Sequence, residues 1–177
     1  MTATSPLPTP EELRARFAAH EARIRDQVLP EDLRAGFDGL KFFEPDPAYQ
    51  VIAHGTLEQT PSVVEMITTR GEQRAFHRWG RVRFTLPGGE ASLAVFGPVS
   101  DATPQRLFTS FRDRTSGRET YAAGRSVAVT RDGDAFVIDF NEAYNFYCAY
   151  GDRWNCALPP AENWLDLEIR AGEKAYH

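Results

Sequence analysis

Apolar side chains in the first forty residues recur at helical spacing. Four of them lie four or seven positions apart and predict an amphipathic helix that packs on another layer: Leu13, Phe17, Ile24 and Val28. Just before them, Thr9-Pro10-Glu11-Glu12 supplies a capping residue, a proline at the first helical position and an acidic residue to complete the cap. Pro30 ends the pattern, and a short second helix is an option for residues 30–37.

From Tyr49 onward the apolar residues alternate with polar ones, which is typical of strands with one buried face. We predict strands at residues 49–58, 62–69, 73–86, 91–96, 106–111, 125–131, 134–140 and 164–170. Turns between them are predicted at Arg70-Gly71, Pro87–Glu90 and Asp132-Gly133. Gly80 interrupts the long segment 73–86 and predicts a bulge there. We expect Phe76 and Val82 to share one face of this strand and Trp79 to lie on the other face.

About eight strands at these short separations favour a mainly β (α+β) fold. We expect an antiparallel β-barrel or a strongly curled sheet with the N-terminal amphipathic helix as its cap, and a two-sheet sandwich or a split barrel as alternatives. The length of 177 residues suits one domain. The predicted organisation is a flexible tail at 1-9 and a single domain at 10-177, with a helical segment at 10-40 and a β domain at 49-170.

Composition and charge disfavour several classes of function. The formal net charge of −5 disfavours nucleic acid as a partner, because phosphate contacts need a basic face. No run of about 18 apolar residues exists, so we expect no membrane partner. Residues 1–17 lack the basic and apolar segments of a secretory signal, which predicts a cytoplasmic protein.

The sequence lacks the motifs of common enzyme classes. It contains no phosphate-binding loop, no G-x-S-x-G, no H-E-x-x-H and no EF-hand loop. Cys148 and Cys156 are eight positions apart, which is not the spacing of a zinc ribbon or a C-x-x-C redox motif. We therefore expect no metal and no cofactor. Two structural thiols are the leading interpretation of the cysteines, and a local disulfide or a Cys148 nucleophile are the alternatives.

Polar and aromatic residues concentrate in two segments, Asp113–Arg125 and Asp139–Asn163. The candidate ligand-binding residues in them are Asp113, Tyr121, Arg125, Asp139, Asn141, Tyr144, Asn145 and Cys148. In one interpretation they form a polar pocket at the barrel mouth, where Arg125 binds a carboxylate or phosphate through its planar fork. In the other they are structural: Asp and Asn side chains brace turns, and Arg125 pairs with Asp113 or Asp139.

The leading functional expectation is a small-molecule-binding β-barrel whose ligand is small and polar or amphipathic. One alternative is an enzyme at the same pocket, with Asp139, Tyr144 or Cys148 in acid–base or thiol chemistry. The other is an interaction protein, including a homodimer, that docks through an exposed sheet edge or the N-terminal helix.

Four strings in the C-terminal half are long enough to point to a family. They are D-R-T-S-G-R-E-T-Y-A-A-G-R from Asp113, D-F-N-E-A-Y-N-F-Y-C-A-Y from Asp139, C-A-L-P-P-A-E-N from Cys156 and A-G-E from Ala171. The chain resembles the bacterial and archaeal proteins of domain-of-unknown-function family 1684 from its first helix onward. Phe146 and Ala157 stand where that family usually has proline. The resemblance implies a shared fold, and no reaction is established for the family.

Overall fold

The helical layer begins where the sequence predicts it. The computed structural model describes residues 7–104 and 106–177, so the first six residues of the predicted tail lie outside the described part. Helix α1 (Pro10–Arg23) continues as a π-helical turn, Ile24–Val28, and is followed by the short α2, Glu31–Arg34. The predicted capping box of α1 is confirmed, since the Thr9 hydroxyl accepts from the Glu12 N–H and the Glu12 carboxylate accepts from the Thr9 N–H.

In the described part of the chain, seven antiparallel strands form the sheet. They are β1 (Gln50–Ile67), β2 (Gln73–Leu86), β3 (Gly89–Pro98), β4 (Leu107–Phe111), β5 (Arg125–Asp132), β6 (Ala135–Asp139) and β7 (Tyr144–Asn145). The order β4-β3-β2-β1-β6-β5-β7, with an added β4–β5 pairing, closes the first six strands into a ring. This ring confirms the predicted mainly β fold with a strongly curled antiparallel sheet and an N-terminal helix.

The inside of the ring holds the main apolar core, and Gly80 determines which residues of β2 reach it. The register of β2 against β3 shifts between Arg78 and Gly80, which confirms the predicted bulge. The expectation that Trp79 and Val82 lie on opposite faces was wrong: Trp79 lies in the core with Val82 and is only 3% exposed. The extra residue of a bulge reverses the alternation, so Phe76 packs instead in a smaller cluster with Met66 and Phe96.

Two predicted strands differ from the observed ones. Residues 62–69 do not form a separate strand, because β1 continues through a register shift between Leu57 and Ser62. Residues 164–170 form no strand, although Leu167 and Ile169 do enter the core. Their backbone bonds instead to residues 112–114 at isolated points, among them Leu165 N–H to Arg112 O at 2.7 Å. The alternating pattern therefore predicted correctly which side chains of residues 164–170 are buried, although this segment forms no strand.

Helix α1 packs beside the ring against the segment that follows β6 and against the C-terminus. Phe17 stacks on Phe42 with ring centroids 4.2 Å apart, and Phe42 bridges to Glu173. The π-helical turn packs with Ala149 and Tyr150 in an apolar cluster of its own. No helix in the described part of the chain is long and apolar enough to cross a membrane.

Candidate functional site

Arg125, the first residue of β5, is a buried clamp on the C-terminal segment. Its guanidinium donates to the carbonyl of Ala171, to that of Ile169 at 2.8 Å and to that of Glu173 at 3.4 Å. Asp113 accepts from the Ile169 N–H at 2.6 Å and lies 3.6 Å from the Arg125 guanidinium. The ion pair considered under the structural interpretation is therefore present, and both side chains are fully buried.

Burial is the main electrostatic effect on this clamp. Desolvation lowers the pKa of Arg125, and the charges of Asp113 and Glu173 oppose that change. The Thr115 hydroxyl also bonds to the Asp113 carboxylate at 2.9 Å. The terminal N–H donors of Arg125 are therefore directed at backbone carbonyls and Asp113, whereas its buried Nε–H has no hydrogen-bond partner.

Asp139 and Asn141 form a hydrogen-bonded corner where β6 ends. The Asp139 carboxylate accepts from the Asn141 N–H at 3.0 Å and from its side-chain amide at 2.9 Å. A Gln50 side chain donates to the other Asp139 oxygen at 2.9 Å, and the Asn141 oxygen accepts from the Asp46 N–H. These bonds turn the chain into the 3-10 turn Phe140–Glu142, which leads to Tyr144.

A buried carboxylate, Glu173, joins the C-terminus to α1. It accepts from the Asn145 N–H at 3.0 Å, from the Tyr150 hydroxyl and from the His20 Nε2 at 3.1 Å. Burial, followed by the adjacent Glu173 charge, raises the pKa of Tyr150, which keeps its hydroxyl a donor. Because a carboxylate only accepts, the Glu173 bond places a proton on Nε2 of His20.

A cleft of about 650 Å³ lies between α1 and the outer side of β5 and β6. Of the predicted site residues, Asp139, Asn141 and Tyr144 line it. Sequence analysis missed its helical wall, which is formed by Arg16, Phe17, Ala19, His20 and Arg23. The sequence does contain a signal for this wall, since these positions lie on one face of the predicted helix. The apolar spacing of the helix predicted only that it packs on another layer, and not that its polar residues line a cleft.

Charged side chains at the two ends of this helical wall have different partners. Arg16 pairs with Glu142, and the pKa of Glu142 is raised because burial outweighs the Arg16 charge. Arg23 donates to Nδ1 of His20 at 2.7 Å. His20 is thus held between Arg23 and Glu173, with its ring centroid 6.0 Å from that of Tyr144.

Tyr121 and Cys148 form a separate group. The Tyr121 hydroxyl donates to the Cys148 sulfur at 3.3 Å, and both cysteines are free and half-buried. Burial, and then the bond to Cys148, raises the pKa of Tyr121. The eight predicted residues therefore fall into three places: a buried clamp, a cleft wall with Asn145 behind it, and a thiol group.

The described residues hold no group of three or more His, Cys, Asp or Glu side chains placed to bind a metal ion. The fold and the cleft together define a class of protein in which a ring of antiparallel strands carries an N-terminal helix across one side. A family model described as a protein of unknown function (DUF1684) matches residues 35–174, and the chain belongs to this family.

A solved structure shares the fold. The solution NMR structure of an uncharacterised protein from Haloarcula marismortui is 34% identical to this chain, with a TM-score of 0.71. The match covers 93% of this chain and 92% of the archaeal one. No curated protein matches the sequence.

Proposed function

We propose that the protein binds a small amphipathic anion in the cleft between α1 and the sheet. The observation that carries the proposal is the composition of the cleft wall, where aromatic and aliphatic faces adjoin an exposed arginine. A volume of about 650 Å³ lies within the range of about 300–1,000 Å³ that is typical of small-molecule sites.

The apolar part of the ligand has a defined place. Phe17 and Phe42 form a stacked aromatic pair on one side, and Ala128 and Val137 line the strand side. Tyr144 adds a ring next to His20. These surfaces favour a short alkyl or aromatic group, because contact with them removes apolar area from water.

Arg23 supplies the anion-binding group. A guanidinium has five N–H donors in a planar fork, and the bond to His20 uses one of them. Since His20 is fixed by the buried Glu173, its bond to Arg23 positions the exposed guanidinium at the cleft. This arrangement suits a carboxylate, which Arg binds with two parallel hydrogen bonds. A reaction in the same cleft, the alternative from the sequence, would use Asp139 or Tyr144, which line it.

Titration calorimetry with hexanoate and 3-phenylpropanoate tests this proposal, preceded by native mass spectrometry for a retained molecule. We expect both carboxylates to bind, their uncharged amides to bind at least tenfold more weakly, and Arg23→Gln to lose the same factor. The matched control is Arg25→Gln, because Arg25 pairs with its neighbour Asp26. Equal binding by the two variants, or no bound molecule in either experiment, would overturn the proposal.

A further inference from the structure

His20 lies between two groups of opposite hydrogen-bonding character. Its Nε2 is 3.1 Å from the carboxylate of Glu173, and its Nδ1 is 2.7 Å from a terminal nitrogen of Arg23. A carboxylate only accepts hydrogen bonds, and a guanidinium only donates them. The neutral ring with its proton on Nε2 therefore satisfies both neighbours at once.

A second proton on the His20 ring would change the position of Arg23. This proton has to go to Nδ1, which then stops accepting and directs a donor and a positive charge at the Arg23 guanidinium 2.7 Å away. The Glu173 side chain is fully buried and also accepts from the Asn145 N–H and the Tyr150 hydroxyl. Arg23 is exposed on α1, so Arg23 is the neighbour that can move.

We propose that His20 is a proton-operated switch of the cleft: protonation of Nδ1 releases Arg23, and an amphipathic anion then binds between the two cations. This inference rests on the proposed function, because the anion is the ligand proposed for the cleft. The anion accepts from the Nδ1–H and from Arg23, and its charge offsets their repulsion. Histidine is the side chain that ordinarily changes charge between pH 5 and 8. Because the protonated state binds the anion better, binding takes up a proton and the affinity rises as the pH falls.

Other charged and titratable groups surround the His20 ring. The Tyr144 ring lies 6.0 Å away between centroids, and Tyr150, which shares Glu173, stays neutral because burial raises its pKa. The charged side chains that line the rest of the cleft are Arg16, Arg131, Asp132, Asp139 and Glu142. Burial raises the pKa of Glu142, and loss of its charge at lower pH would also favour an anion. The experiment therefore has to separate His20 from Glu142.

Titration calorimetry with hexanoate at pH 8 and pH 6 tests the switch, because a carboxylate in water stays ionised over this range. We expect the wild type to bind at least threefold more tightly at pH 6, with proton uptake shown by a binding enthalpy that depends on the buffer. His20→Gln keeps an amide donor for Glu173 and an oxygen acceptor for Arg23 but cannot be protonated, so we expect equal affinity at both pH values. Glu142→Gln is the matched control and is expected to retain the pH dependence.

The outcomes separate the switch from the proposed function. Equal wild-type affinity at the two pH values, or a pH dependence that persists in His20→Gln, overturns the switch and leaves anion binding intact. A pH dependence that disappears in Glu142→Gln assigns the effect to Glu142 and also overturns the switch. No binding of hexanoate at either pH overturns the proposed function, and the movement of Arg23 is then decided without a ligand.

Side-chain nitrogen NMR of the ligand-free protein makes that second measurement. At pH 8 we expect His20 to carry its proton on Nε2 alone. As the pH falls to 5, Nδ1 is expected to gain a proton and the Arg23 Nε resonance to shift with the same midpoint, in the wild type and in Glu142→Gln. A ring that stays neutral, or an Arg23 resonance that does not follow it, would refute the switch. Circular dichroism and thermal melting establish that each variant compared is folded.

Discussion

At the residue scale, Arg125 shows how one side chain acquires its role from distant backbone. Its donors meet carbonyls of Ile169, Ala171 and Glu173, which are more than forty positions away in the chain. The Phe111 ring covers the guanidinium at 5.2 Å. A buried charge needs such partners because removing it from water is expensive, and here the two terminal nitrogens are paired while the Arg125 Nε–H has no hydrogen-bond partner.

Substitution of Arg125 separates the clamp from a ligand-binding role. Arg125→Met leaves the Asp113 carboxylate and the carbonyls of the C-terminal segment buried without their partner, so we expect a loss of about 3–5 kcal/mol in unfolding free energy. Urea denaturation measures it. Arg118→Met is the control, since the Arg118 side chain is 65% exposed in its ion pair with Glu168, and we expect it to change stability by less than about 0.5 kcal/mol. Equal stability of the two variants would show that the clamp contributes nothing.

At the scale of elements, a single glycine shapes the longest hairpin. Gly80 has a φ of +139°, and a Cβ at this position would lie 2.7 Å from the Thr56 carbonyl oxygen. The neighbouring strand therefore approaches the backbone of β2 more closely than any side chain permits. This contact keeps the bulge that turns Trp79 into the core.

Gly80→Ala is expected to be more destabilising than substitution of a glycine in a turn. Gly71 also has a positive φ, of 79°, but a Cβ there would meet no atom within 4 Å. Gly71→Ala thus carries backbone strain alone, about 1 kcal/mol, whereas Gly80→Ala adds the clash and should cost about 3 kcal/mol or more. Thermal and urea unfolding of both variants measure the difference. Similar losses would mean that the hairpin relaxes around the new methyl group.

At the scale of the whole molecule, the C-terminal segment joins the layers. Residues 169–173 bond to Arg125 inside the ring, and the side chain of Glu173 bonds to His20 on α1. The helix that forms one cleft wall is thus positioned by the last residues of the chain. The cleft depends on this connection because the other wall belongs to β5 and β6.

Removal of the Glu173 carboxylate is expected to loosen α1 before the ring. Glu173→Ala leaves the Asn145 N–H, the Tyr150 hydroxyl and His20 without their acceptor, which costs about 1–3 kcal/mol for each buried group left unpaired. Hydrogen exchange should accelerate in residues 13–29 more than in β2 and β3. Glu168→Ala, in a partly exposed ion pair, is the control and should leave the exchange of α1 unchanged. Uniform acceleration across the chain would contradict a local role.

Local patterns were sufficient for most of the elements. The capping box at Thr9, the bulge at Gly80 and the Asp132-Gly133 turn each depend on neighbouring residues, so the sequence predicted them correctly. The segment 164–170 was harder, because alternation reports which side chains are buried and not whether the backbone finds a strand partner. Ring closure through β4 and β5 was likewise only one of several arrangements that the pattern allowed.

The sequence by itself determined the fold class, the positions of the turns and the clustering of polar residues in two segments, because periodicity and turn chemistry are local properties. Only the tertiary structure decided how those polar residues divide. Asp113 and Arg125 entered the core, Asp139 and Tyr144 came to line the cleft with Arg23 of the helix, and Cys148 came to accept from the Tyr121 hydroxyl. Spacing along the chain carries no information on such contacts, which arise when the closed ring brings the C-terminus and α1 together.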